Sequence, residues 1–222
     1  MTEEFSRAPD PTHRLIPSKF PPIGLFDTVS TASDLQAVME LAGWTNDRLV
    51  LERIRRLPQS EWVFGIPNAS IVMAAFLHVA PGGMRFNKAE LGAWYGAASL
   101  TTAAAEVGHH LRREAFECSK SSLTRTYRQY SSTLQGASLD IRGQQGSLAD
   151  VYDSSSYAAA QDLGGSIRTS GQAGILYDSL RHAGGINVVA YRPKNIQNTL
   201  QCDHFEITVQ AKVRRIALKK IS

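Results

Sequence analysis

The sequence is poor in cysteine and has no long apolar run. Its two cysteines, Cys118 and Cys202, lie far apart and outside any C-x-x-C spacing. That argues against a disulfide framework or a cysteine-built zinc site and fits a reducing compartment. No apolar run reaches the roughly 18 residues of a membrane span. The opening MTEEFSRAPDPTHR is polar and proline-broken, without the apolar stretch of a secretory signal. A cytoplasmic protein with no membrane partner is the expectation. Also missing are G-x-G-x-x-G after a strand, G-x-x-x-x-G-K-[ST], G-x-S-x-G and H-E-x-x-H, the usual marks of nucleotide folds, serine hydrolases and zinc proteases. There is no repeat of 20–50 residues and no low-complexity tract.

What is present suits one good-sized domain or two small ones. Of the 222 residues, 43% are hydrophobic, enough to fill a core. Lys and Arg number 24 against 20 Asp and Glu, giving a formal charge of +4 and an isoelectric point near 9.2. So small an excess steers an anionic partner at most. Residues 1–30 hold five of the nine prolines, which predicts an extended arm laid over the surface. Ser33-Asp34-Leu35-Gln36 has capping-box spacing, followed by Val38, Met39 and Ala42 at helical intervals. Asn46 can cap a second helix that Pro58 ends, so 33–57 reads as an αα unit. Residues 68–80 read as a buried helix and 91–99 as a strand. A helix capped by Thr101 or Thr102 then runs to near Phe116 on a run of alanines. Strands follow at 123–130, 137–142, 174–179, 186–191 and 205–221, with one helix over 157–167 among them. Helices first and strands later predict an α+β fold with a mixed or antiparallel sheet. The arm and helical extension occupy 1–60 and the main unit 61–222, together one compact body.

Several polar groupings invite a chemical reading. Glu106, His109, His110 and Arg113 fall at i, i+3, i+4 and i+7 of one helix, a spacing that can present ligands to a metal. Adjacent histidines diverge by about 100°, however, and no further ligand is evident, so a solvated polar face explains them better and no metal is expected. Ser179 with Asp178 and His182 has the residue types of a nucleophilic triad, but close neighbours along one strand or turn do not converge. The basic stretch Lys212, Arg214, Arg215, Lys219 and Lys220 alternates with apolar residues and lacks the aromatics of a nucleic-acid surface, so a solvated strand face is the default. Arg85, Glu106 and Ser179 sit in apolar or glycine-rich contexts where a charge or hydroxyl needs a reason. On pattern alone, an Arg85–Glu106 salt bridge and a turn-satisfying Ser179 come ahead of catalysis.

The segments Met84-Arg-Phe-Asn87, Trp94-Tyr95, Thr102-Ala-Ala-Ala-Glu106-Val107, Gly174-Ile-Leu-Tyr-Asp-Ser179-Leu-Arg181, Gly184-Gly185 and Val189-Ala-Tyr-Arg-Pro193 resemble the RES domain family. That family is named for an Arg, a Glu and a Ser, and Arg85, Glu106 and Ser179 match the three. Arg14-Leu-Ile-Pro-Ser18, Pro21-Pro-Ile, Phe26-Asp27 and Thr45-Asn46 are similar to its longer members. Asp178 departs from the proline usual before the serine. The resemblance implies a fold similar to ADP-ribosyltransferase domains and the toxin role in a bacterial toxin–antitoxin pair. NAD is then a substrate rather than a resident cofactor. Its partner is a helix-turn-helix antitoxin, through which alone DNA is contacted. In such a site Glu106 stabilises the cation that develops as the nicotinamide–ribose bond breaks. Arg85 holds phosphate oxygens, Tyr95 stacks on nicotinamide, and Ser179 orients ribose or Glu106. The acceptor is water or phosphate. Transfer of ADP-ribose to a protein side chain and a non-catalytic NAD- or antitoxin-binding module are the alternatives.

Overall fold

A computed structural model of the chain describes residues 4–20, 24–35, 37 and 52–221. Among these, nine strands form one sheet: β1 (Phe5–Arg7), β2 (Thr12–Pro17), β3 (Trp94–Ala97), β4 (Ser122–Leu134), β5 (Ala137–Asp140), β6 (Gly174–Asp178), β7 (Ile186–Ala190), β8 (Ile196–Gln210) and β9 (Val213–Lys220). Their order is β1-β5-β6-β7-β3-β2-β4-β8-β9. Only β5 and β6 run parallel; the other pairings are antiparallel. The fold is thus α+β with a mixed sheet. Its helices are α1 (Ala69–Leu77), α2 (Leu100–Glu117), α3 (Ala149–Tyr152) and α4 (Ala158–Thr169), with short helical pieces at 32–35 and 52–54.

The two halves of the sheet meet at one point. β2 pairs with β3 only at His13–Ala97, then follows β4 over all six of its residues, while β3 follows β7. Alternation along β3 sends Trp94 to one face and Tyr95 and Ala97 to the other. On the Trp94 face, Phe76, Met73 and Leu77 of α1 join Leu35, Ile54 and Leu176 in one apolar cluster. On the opposite face lie two clusters. One is under α3 and α4, with Phe86, Ile175, Val189 and Tyr191; the other is under α2, with Leu111, Ala115, Ile207 and Val209. Each large side chain so enclosed contributes about 1.5–3 kcal/mol. The gap between the last two clusters, beside the split, is where the site forms.

The structure revises several local expectations. The proline-rich arm is not laid over the surface: β2 sits between β3 and β4 inside the sheet, with prolines confined to its ends, where a missing N–H is tolerated. The first helix is capped by Thr31, whose hydroxyl accepts from the Asp34 N–H (3.1 Å) and donates to Asp34 Oδ2 (2.7 Å), rather than by Ser33. The remainder of the αα reading, including Val38, Met39, Ala42 and the Asn46 cap, lies outside the described residues. Ser99, not Thr101 or Thr102, caps α2, accepting from the Thr102 N–H. The last strands form a hairpin whose first arm begins at Ile196, earlier than expected, because its apolar alternation is interrupted at irregular pairings. Among the described residues no helix is long and apolar enough to cross a membrane.

Candidate active site

α2 runs past the split with two working stripes. Ala104, Gly108, Leu111 and Ala115 are buried against the sheet, while Ala103, Glu106, Val107, His110 and Arg113 line a cavity of about 510 Å³. Tyr95 of β3, Tyr177 of β6 and Asn187 of β7 form its floor, and Arg14, Arg85 and Arg181 also line it. Its charged lining is one-sided: four arginines, Arg14, Arg85, Arg113 and Arg181, face one carboxylate, Glu106. Two of the three cavity histidines, His13 and His110, are held below the ordinary imidazole value, chiefly by burial.

Glu106 is braced through one oxygen. Its Oε1 accepts from Ser179 Oγ at 2.6 Å and from Asn187 Nδ2 at 2.7 Å. Oε2 has no protein partner among the described residues. Ser179, itself buried, also accepts from the backbone N–H groups of Arg181 (3.1 Å) and His182 (3.0 Å), so one hydroxyl ties the turn after β6 to the carboxylate. His182 Nδ1 meets Thr102 Oγ1 at 2.9 Å, one helical turn before Glu106, and clamps that turn to α2. Gly185 closes it: a Cβ there would lie 2.8 Å from Thr102 Oγ1 and 2.9 Å from His182 Nδ1. Ser179, Asp178 and His182 form no triad. The Asp178 carboxylate accepts instead from the Gly143 N–H (2.6 Å) and Gln145 Nε2 (2.9 Å), which anchors the turn at 143–145.

Arg85 and Glu106 line the same cavity but form no ion pair with each other. Arg85 Nη1 donates to the carbonyls of Val151 (3.1 Å) and Asp153 (2.8 Å), and its guanidinium stacks 4.7 Å from the Tyr157 ring. Nε and Nη2 have no protein partner among the described residues. The Tyr95 hydroxyl donates to Asn87 Oδ1 (2.8 Å) and accepts from the Phe86 N–H (2.9 Å), so it fixes the segment carrying Arg85. Burial pushes its pKa up and keeps it a neutral phenol. The ring of Tyr95 is the part left for a ligand.

Two site residues escape the sequence reading. Asn187 is a single amide in the apolar run of β7, and it is 3% exposed; a polar residue at an inward strand position was the available signal. Arg14 stands at the split, with Nη1 donating to the Tyr95 carbonyl (3.0 Å) and its guanidinium 4.7 Å from the Trp94 ring. Its Nε is buried with no partner. Burial draws its pKa down to about 10, still far above neutrality, so it remains a cation. Of the helical foursome, Glu106, His110 and Arg113 face the cavity and His109 does not. Among the described residues no three His, Cys, Asp or Glu side chains are placed to share a metal ion.

A RES domain model matches residues 51–210, and the chain belongs to the RES domain family. Among solved structures, a chain of the M. tuberculosis MbcT–MbcA toxin–antitoxin complex is similar at TM-score 0.41 and 20% identity, covering 55% of this chain and 73% of that one. No curated protein matches the sequence.

Proposed function

We infer that the protein cleaves the nicotinamide–ribose bond of NAD, with water or inorganic phosphate as acceptor, and is the toxin of a bacterial toxin–antitoxin pair acting in the cytoplasm. The observation that carries this reading is a lone carboxylate, Glu106, braced on one oxygen and open on the other, inside a cavity that four arginines also line. Bond cleavage leaves positive charge on the ribose, which a fixed carboxylate stabilises more in the transition state than in the ground state. Two hydrogen bonds to Oε1 hold Glu106 in place, and Oε2 is available to a ribose hydroxyl. The arginines suit the pyrophosphate, whose charge they neutralise and whose oxygens their forks match. Arg85 offers Nε and Nη2, its Nη1 being tied to the backbone. A volume of about 510 Å³ is ordinary for a small-molecule site. The toxin role and the helix-turn-helix antitoxin partner rest on family membership.

The test is incubation of the purified chain with NAD, with and without phosphate, followed by product identification. Free nicotinamide with ADP-ribose, or with its 1″-phosphate when phosphate is present, is expected. ADP-ribose covalently attached to protein would move the assignment to a transferase. No nicotinamide release under any condition would leave a binding module.

A further inference from the structure

We propose that β9 is a docking edge for an acidic, extended polypeptide segment of a partner protein, which adds to the sheet as a tenth strand. This surface is independent of the chemistry in the cavity. β9 ends the sheet, and seven of its eight residues are exposed. Its free backbone groups follow from its pairing. The Ile221 N–H donates to the His204 carbonyl at 2.9 Å. In an antiparallel pair, residues turned toward the partner alternate with residues turned away. The register pairs Lys219 with Glu206 and Ala217 with Thr208, so these two residues, like Ile221, turn their backbone groups to β8. The N–H and C=O groups of Ile216, Leu218 and Lys220 face outward. Among the described residues none of these six has a partner. Two residues before Ile216 the edge is capped: Arg112 of α2 donates to the Arg214 carbonyl at 3.2 Å.

The charge on this edge selects the occupant. Ile216 packs on α2 beside Gly108, so alternation turns Lys220 to the α2 side and Lys219 to the other, while Arg214 and Arg215 stand at the irregular pairing where Arg112 reaches the strand, so a strand laid alongside meets cations on both faces. The local acids are few: Asp203 pairs with Lys220 at 2.8 Å, and Glu206 stands opposite Lys219. α2 also contributes His109, whose pKa is held down to about 4 by burial and by Arg181, His110, Arg112 and Arg113. The helix lies close, since a Cβ at Gly108 would sit 2.5 Å from Ile216 Cδ1. A second copy of this chain would set Lys and Arg against Lys and Arg across the new pair, which is unfavourable. A nucleic acid could use the charge and the amides through its phosphates but would leave the alternating carbonyls unpaired, and the strand offers it no aromatic platform. An acidic polypeptide uses both, the ladder for affinity and the charges for selection.

The experiment titrates the full chain with a fluorescein-labelled decapeptide alternating Glu and Val, against its Lys–Val counterpart and an oligothymidylate of equal length. The Glu–Val peptide is expected to bind at least roughly tenfold more tightly than either control. At saturation it should slow hydrogen exchange at the amides of Ile216, Leu218 and Lys220 on the parent protein. An Arg215→Glu/Lys219→Glu variant with an unchanged thermal transition should lose roughly tenfold in peptide affinity. Unchanged exchange at the three amides would overturn the proposal. So would tighter binding of oligothymidylate, or concentration-dependent self-association that protects the same amides.

Discussion

Glu106 is held by two donors on one oxygen, and that asymmetry separates the effects of its neighbours. Glu106→Gln keeps the size and removes the charge; NAD turnover should fall by about a hundredfold or more while the thermal transition is retained. A well-folded variant with near-parental turnover would remove Glu106 from the mechanism. Asn187→Ala leaves the carboxylate charged but free to swing, so kcat should drop roughly tenfold, the worth of one charged hydrogen bond, with KM little changed. A matching rise in KM instead would make Asn187 a substrate contact. Arg85→Lys should weaken NAD binding by about 1–3 kcal/mol, since a lysine cannot both reach the Val151 and Asp153 carbonyls and present a fork. Titration into the Glu106→Gln background reads this, and equal affinities would give Arg85 a structural role only. Arg85, Tyr95, Glu106 and Ser179 were legible because they stand in ordered family motifs. Asn187 and Arg14 were not, since each belongs to the site through a neighbour distant in sequence: Asn187 through Glu106 on α2, Arg14 through the Tyr95 carbonyl across the split.

At the scale of elements, α2 was readable in advance because helix-forming alanines and an apolar stripe agree, and only its cap was misplaced by two or three residues. The strands from β4 to β7 were likewise placed by alternation and glycine punctuation, with shifted ends. Proline density predicts a surface arm over the whole of residues 1–30, but Thr12–Pro17 carries prolines only at its boundaries and its backbone is free to pair along β4. A pH effect belongs to α2. His109 has a folded pKa of about 4 against roughly 6.5 unfolded. Between those values the unfolded chain binds more protons, so stability falls as pH drops from about 6.5 to about 4 and is no longer affected below that. His13 and His110 are lowered in the same direction. Denaturant unfolding of His109→Gln at pH 7 and pH 5 should therefore show a smaller loss than the parent, though not none. Identical losses would mean that burial and the neighbouring cations do not hold His109 neutral in the folded chain.

On the scale of the whole molecule, the family match begins at residue 51, yet the sheet does not. β2 lies between β3 and β4, supplies six registered pairs to β4 and closes the two halves at His13–Ala97. Removing it exposes two inner strand edges, uncovers Leu15 in the apolar cluster under α2, and takes Arg14 from the cavity. Unpaired buried backbone groups are expensive, and no other described segment is placed to replace them. β1 is different: it is a three-residue strand at the outer edge, paired only with β5. Deleting residues 1–8 should accordingly leave a cooperative thermal transition and NAD turnover within about a few-fold of the full chain, as expected for a frayed terminus. A chain beginning at residue 21 or at residue 51 should show no cooperative transition and no NAD turnover, and should expose apolar surface to a dye. Both deletions are read by circular dichroism on heating together with nicotinamide release. A fragment starting at residue 51 that unfolds cooperatively and still cleaves NAD would show that the matched segment is self-sufficient and that β2 is an accessory strand.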